Sequence, residues 1–252
     1  MNQQILQHYS SSDQDFVKEM LALKHHVLQN GRMTVTNFLS LHEQAILQSI
    51  MGQDVHQIFY GGFATSERKI AIISDYIVND YEHHVVILRL TYNVKFGTLR
   101  HPDVLGAILS LGLERKVVGD ILVQSAEIFV ALRENIASYV QQQLCQIGRQ
   151  AIRAEQYDGA ISENHTQFNA KSIYVQSLRL DSLVSHVVRC NRDKAKGLIM
   201  KELVQINGVI VSNYKVDYHV HDVVSIRKYG RVYIDAIMKT KRERFKVEVR
   251  TT

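Results

Sequence analysis

Apolar residues in this chain never keep one period for long, which rules out any architecture built from a single kind of element. Phe16, Met20, Leu23 and Val27 fall at the spacing of one helical face. A second helix is expected through TNFLSLHEQAILQSI, with Thr36 or Asn37 as its cap. The rhythm then shortens: VHQIFYGGF, RKIAIISD and HVVILRLTYN are β-branched and aromatic runs broken by glycine or polar residues, as strands are. VLGAILSLGL, just after the only proline, Pro102, reads as a helix, GDILV and AEIFVAL as two further strands or a strand running into a helix, and ASYVQQQLCQIG as a helix. The mixture predicts an α+β fold with a compact sandwich at its centre.

DGAISENHTQFNAKS, residues 158–172, is polar and mostly aperiodic, and reads as a linker. The expected divisions are a mainly helical region at 1–54, a central α+β domain at 55–157 and a C-terminal module at 173–252. Charge follows the same division. From Lys171 to Thr252 there are 17 Lys plus Arg against 8 Asp plus Glu, which leaves 13 against 17 in the first 170 residues. A basic module on a mildly acidic body is the electrostatic pattern of a chain that meets a polyanion at one end.

No run of eighteen apolar residues is present to cross a bilayer, and MNQQILQHYSSSDQDFVKEM lacks the basic start and apolar core of a secretion signal. The expected setting is the cytoplasm, with no membrane partner. Cys145 and Cys190 lie far apart, without zinc or redox spacing.

The sequence contains no Walker loop, dinucleotide fingerprint, nucleophile elbow, HExxH or CxxC. GFATSERK reads as a turn between strands rather than a phosphate loop. His101 and Asp103 could be a base and its orienter, but an acidic residue in a first helical turn is explained by the helix dipole alone. His219 and His221 are expected to alternate on a strand face, with no third ligand to make a metal site. Phe59, Tyr60 and Phe63 could form a base-stacking platform or pack in the core. No cofactor, metal or catalytic residue is expected.

The C-terminal module carries more signal. Leu180, Leu183, Val184, Val187 and Val188 make one helical stripe, which places Arg179, Ser182, His186 and Arg189 in line on the other side. Asn191 is a good N-cap for a second helix, whose stripe is Ala195, Leu198, Ile199 and Leu203 and whose polar faces hold Arg192, Lys194, Lys196 and Lys201. A cation such as Arg192 in a first helical turn is unfavourable unless an anion approaches it. VQING ends in an Asn-Gly turn, and HDVVSIRKYGRVYIDAIM returns Arg227, Lys228 and Arg231 around Gly230.

RLD at 179–181, NRDKA at 191–195, the VQING turn and HDVVSIRKYGR together resemble the S4 RNA-binding domain, over about the last seventy-five residues. Many S4 domains carry Ser-Arg where this chain has Asn191-Arg192, so a hydroxyl contact to RNA is missing here. VTNFLSLHEQAIL at 35–47, YGGFATSERKIAII at 60–73 and LRHPDVLGAILSLGLERKVVGDILV at 99–123 resemble the YlmH family of S4 proteins. That resemblance implies an N-terminal helical segment, a central domain like an RNA-recognition motif (RRM), and binding to rRNA of the large ribosomal subunit. It further implies a role in ribosome-associated quality control on obstructed subunits carrying peptidyl-tRNA, and a gene often found beside cell-division genes. Under it, His101, Asp103 and Arg115 are candidate contacts to tRNA or the ribosome, Gly106 and Gly112 equally suit close helix packing, and a monomer is expected. The rival readings are an RNA-modifying enzyme with an unrecognised active site and a cell-division adaptor.

Overall fold

The computed structural model describes residues 5–11, 13–124, 127–159, 161, 169–240 and 243–251. The chain divides into two compact units, Met1–Ile161 and Ser162–Thr252.

The first unit opens with helix α1 (Gln14–Asn30), the two-residue strand β1 (Thr34–Val35) and helix α2 (Leu41–Met51). Met20 and Val27 of the expected α1 stripe are buried, joined by Val17, with Phe16 and Leu23 packed at the edge. The cap of α2 is Ser40, not Thr36 or Asn37. Ser40 Oγ accepts from the Glu43 N–H, and the Glu43 carboxylate accepts from the Ser40 N–H at 2.7 Å, which satisfies two donors that a helix start leaves open. Thr36 cannot serve, because its Oγ1 accepts the Ala71 N–H at 2.8 Å.

Strands β2 (His56–Tyr60) and β3 (Ile70–Ser74) join β1 in a three-stranded antiparallel sheet. Ala71 and Ile73 pack against Val17, Met20 and Leu47, so β2 and β3 share a core with the N-terminal helices. The four-stranded sheet comes next in the chain. Its segment runs through β4 (Val85–Thr91), α3 (His101–Ser110), β5 (Val118–Gln124), β6 (Glu127–Arg133), α4 (Glu134–Gln143) and β9 (Arg153–Gln156). The strand order β5-β6-β4-β9 makes this the β-α-β-β-α-β arrangement of an RRM. A small hairpin of β7 (Gln146–Ile147) and β8 (Gln150–Ala151) precedes the last strand.

One face of this sheet, through Leu88, Leu90, Val130 and Leu132, packs on Val104 and Ile108 of α3 and on Ala137 and Val140 of α4. Side chains alternate across a strand, so Phe129 and Ala131 point the other way. They are buried with Phe38, Phe63, Ile70 and Ile72. Phe59 and Tyr60 also pack at core edges, Tyr60 against Tyr81 at 5.5 Å between ring centroids. Farther along the same face, Arg89 is ion-paired with Glu155 and Glu127 and lies over the Tyr157 ring. The face on which an RRM would stack bases is closed.

In the second unit, β10 (Asn169–Val175) leads to α5 (Leu180–Val188), α6 (Arg192–Met200), the hairpin β11 (Val204–Ile206) and β12 (Val209–Ile210), β13 (Val223–Ile226), β14 (Gly230–Lys239) and β15 (Phe245–Thr251). The six strands form one antiparallel sheet in the order β10-β15-β14-β13-β11-β12. Residues 169–172 of the expected linker are strand, because they pair with 248–251 of β15. Residues 160 and 162–168 of that linker lie outside the described residues. The Asn-Gly turn forms as expected, with φ of 51° at Asn207 and 86° at Gly208 and Ile206 paired to Val209. His219 and His221 precede β13 in a turn, and His221 has a φ of 72°, so they do not share a strand face.

The contact between the two sheets of the first unit is tight enough to test. A Cβ added at Gly119 would sit 2.6 Å from Phe38 Cε1, so Gly119→Ala must push that ring out of its site. Overpacking of this kind costs about 1–3 kcal/mol. A lower thermal midpoint for Gly119→Ala, with far-ultraviolet circular dichroism unchanged at low temperature, is the expected result.

Candidate nucleic-acid interface

The basic residues of the second unit fall into three groups according to what holds them. The first surrounds the start of α5. Arg179 is its N-cap, and the guanidinium donates to both oxygens of Asp181, at 3.1 and 3.0 Å. Asp181 is only 1% exposed, so Arg179 compensates a buried carboxylate. The Leu180 N–H also donates to the Val216 carbonyl, and the Asp181 N–H to that of Tyr214. Tyr214, absent from the sequence-derived candidates, takes Arg179 over its ring at 5.7 Å and Lys196 Nζ at 5.7 Å. Lys196 is further paired with Asp193 at 3.2 Å. The periodicity of two separate helices could not reveal a loop aromatic joining their cations.

The second group lies at the turn between α5 and α6. Arg189 ends α5 in the left-handed conformation, with φ of 54° and ψ of 51°. Arg179 and Arg189 therefore stand at opposite ends of α5 rather than on one side. Ser182, expected beside them, is buried, and its carbonyl accepts from Ser185 Oγ and faces His186 Nδ1. The α5 face is narrower than the sequence pattern implied, because the chain at 214–217 covers its first turn. Asn191 caps α6 as expected, accepting from the Lys194 N–H at 2.9 Å. Ser185, His186, Arg189, Cys190 and Asn191 line a groove of about 390 Å³ here. Arg192 and Lys194 are exposed at its side, on the first turn of α6.

The third group is at the far end of α6. Lys201 is the C-cap, about 13 Å along the axis from Arg192 by helical rise, where a cation suits the helix dipole. The Arg227 N–H donates to the Leu203 carbonyl at 2.9 Å, which ties the β13–β14 hairpin to this end. Lys228 has a φ of 73°, Arg231 pairs with Ser225 across the hairpin, and Tyr229 between them is exposed. Among the described residues, Arg189, Arg192, Lys194, Lys201, Arg227 and Lys228 enter no ion pair.

The motif in the first unit is built differently. His101 is exposed at the first position of α3. Asp103 accepts the Arg100 N–H at 2.9 Å, and that bond and the Arg100 guanidinium hold its carboxyl below the usual range. Arg115 donates to the carbonyls of Val118 and Gly119, which closes a short 3-10 turn onto β5. A Cβ at Gly106 would meet nothing within 4 Å, so close helix packing does not explain that glycine; Gly112 has a φ of 84° in the turn after α3. No group of three or more His, Cys, Asp or Glu able to hold a metal occurs among the described residues. No described helix is long and apolar enough to cross a membrane.

Two helices on an antiparallel sheet with unpaired cations around the helix turn, following an RRM-like domain, define an S4-domain RNA-binding protein. Residues 79–160 match the family profile described as a putative RNA-binding domain in YlmH. The chain is 32% identical over 250 residues to the ribosome-associated protein quality control protein P2 of Bacillus subtilis (strain 168), covering 96% of each chain. It is also similar to a solved structure titled cell division protein ylmH from Streptococcus pneumoniae, with 25% identity and a TM-score of 0.52, covering 60% of this chain and 93% of that one. The chain belongs to the YlmH family of S4-domain RNA-binding proteins.

The Arg179–Asp181 pair separates folding from binding. Arg179→Ala leaves a buried carboxylate with its charge uncompensated. Because the Arg179 side chain is itself 35% exposed and water can partly replace it, the expected cost is about 1–3 kcal/mol rather than the full cost of breaking a buried pair. A thermal midpoint clearly lower for Arg179→Ala than for Arg192→Ala checks this.

Proposed function

We propose that this chain is a non-enzymatic RNA-binding factor of ribosome-associated quality control, whose S4 unit grips structured rRNA of the large ribosomal subunit. The observation that carries this reading is the set of six exposed cations without an ion pair, Arg189, Arg192, Lys194, Lys201, Arg227 and Lys228, at the two ends of α6. A protein that leaves so many cations uncompensated on one small unit gains from a polyanion that releases its counterions on binding. The name of the Bacillus subtilis relative, a ribosome-associated protein quality control protein, supports the setting, and the match over nearly the whole chain supports carrying that setting over. Peptidyl-tRNA on an obstructed large subunit is the further partner in this reading, met by the first unit around His101, Asp103 and Arg115. The capping role of Asp103 and the structural bonds of Arg115 favour positioning over turnover.

The test is filter binding of purified large-subunit rRNA by the full chain across a salt series. Arg192→Ala and Arg227→Ala are each expected to weaken binding and to flatten the slope of log affinity against log salt by up to about 0.9 per lost phosphate contact. Lys239→Ala is the control, since Lys239 ends β14 about 30 Å along the strand from Gly230. Equal losses and equal slopes for Arg192→Ala and Lys239→Ala would mean a diffuse positive field and no shaped S4 site.

A further inference from the structure

The hairpin between β13 and β14 breaks a local rule. The Tyr229 N–H donates to the Ile226 carbonyl at 2.9 Å, and Lys228, the third of the four residues so joined, has a φ of 73°. That is a type II turn, whose third residue is ordinarily glycine because a side chain there is strained. Lysine in that place gives up stability and sets a cation at the tip. All five residues from Arg227 to Arg231 are exposed. The bond from the Arg227 N–H to the Leu203 carbonyl holds the tip beside the end of α6, where Lys201 is exposed. Glu202 is the acid next to Lys201, so Lys201, Arg227 and Lys228 leave this end positive.

Tyr229 gives a second, independent sign. Its side chain is 44% exposed, between Lys228 and Gly230. Most other tyrosine rings of this unit are already occupied. Tyr214 lies under Arg179 and Lys196, Tyr233 lies under Arg250, and Tyr218 is buried. Among the described residues, the Tyr229 side chain makes no hydrogen bond, ring contact or cation contact. Core packing therefore does not explain an aromatic ring carried on a strained turn. The cations before it favour an anionic guest over an apolar protein surface. Tyr174 is also open, at 55%, but it stands on β10 opposite Lys246, which is paired with Glu248.

We propose that Tyr229 stacks on one unpaired base of the bound RNA, while Lys201, Arg227 and Lys228 meet the phosphates beside it. Bases inside a duplex are covered by their neighbours, so a bulged or looped nucleotide is what can offer a face to the ring. An aromatic ring among cations is the combination that holds single-stranded nucleic acid, and it tolerates any base because every base has such a face. The inference rests on the RNA-binding reading of the S4 unit and adds a contact that charge cannot supply. Phosphate contacts position the unit, and the ring selects the place where a helix is interrupted.

The experiment is filter binding of the full chain to two RNA duplexes of the same sequence, one fully paired and one with a single unpaired adenosine in its middle. The bulged duplex is expected to bind about tenfold tighter. Tyr229→Ala is expected to remove that preference by weakening the bulged complex alone, with the salt slope and the thermal midpoint unchanged, because the ring is exposed and uncharged. Tyr229→Phe is expected to keep the preference. Tyr174→Ala is the control: Tyr174 and Met238 flank Lys246, and Met238 lies about 25 Å along β14 from Gly230. Equal affinity of the unaltered chain for the two duplexes would overturn the proposal. So would a preference that survives Tyr229→Ala, which would leave the ring to a protein partner, or an equal loss on both duplexes or in Tyr174→Ala. Arg192→Ala is read on the same duplexes: a flattened salt slope without a bulge preference removes this contact alone, whereas binding without salt dependence removes the S4 reading itself.

Discussion

The packing of Phe38, Phe63, Ile70 and Ile72 onto Phe129 and Ala131 determines how the first unit can be used. A four-stranded RRM-like sheet has two faces, and one is always taken by its own helices. Here the three-stranded sheet, with Phe38 and Phe63, occupies most of the other, and Gly119 lets the Phe38 ring approach the backbone. What is left of that face is neutralised by the Arg89, Glu155 and Glu127 ion pairs. That leaves little of the sheet face open for a base to stack on. The fold is that of an RNA reader, but its usual reading surface is used to hold the unit together.

A comparable division of labour operates among the cations of the S4 unit. Burying Asp181 at the start of α5 is costly unless a positive group stays beside it, and Arg179 fills that role. Tyr214 then draws Arg179 and Lys196 to one ring. These charges belong to the architecture as much as to any interface. Arg189, Arg192, Lys194, Lys201, Arg227 and Lys228 enter no such pair among the described residues. Net charge alone treats both sets alike, although Lys246 and Arg250 are also neutralised within the sheet, by Glu248 and Asp235.

Much of this was legible in the amino-acid sequence, for reasons that are local. The stripes Leu180, Leu183, Val184 and Ala195, Ile199 report helices because burial follows the 3.6-residue repeat, and all five side chains are buried. Asn191 and the Asn207-Gly208 turn act through their own backbone neighbours, so their chemistry can be read without knowing what lies opposite. The concentration of basic charge after Lys171 needs no coordinates either. Other features depended on residues distant in sequence. Thr36 looked like a cap, but β3 claimed its hydroxyl, and Ser40 took the role. Ser182 sat on the polar side of α5 by periodicity, yet it is buried, in the turn whose Leu180 and Asp181 bond to the chain at 214–216. The strands at 56–74 had the composition of the central sheet yet paired with β1, because pairing is decided by which edges meet and not by β-propensity. That the Tyr229 ring is open while those of Tyr214 and Tyr233 lie under cations offered no sequence signal at all, since a ring is open only in relation to everything packed around it. Periods, caps, turns and charge are thus properties of the sequence, while closed faces, compensated charges and empty grooves are settled only by the tertiary structure, because each depends on contacts between segments far apart along the chain.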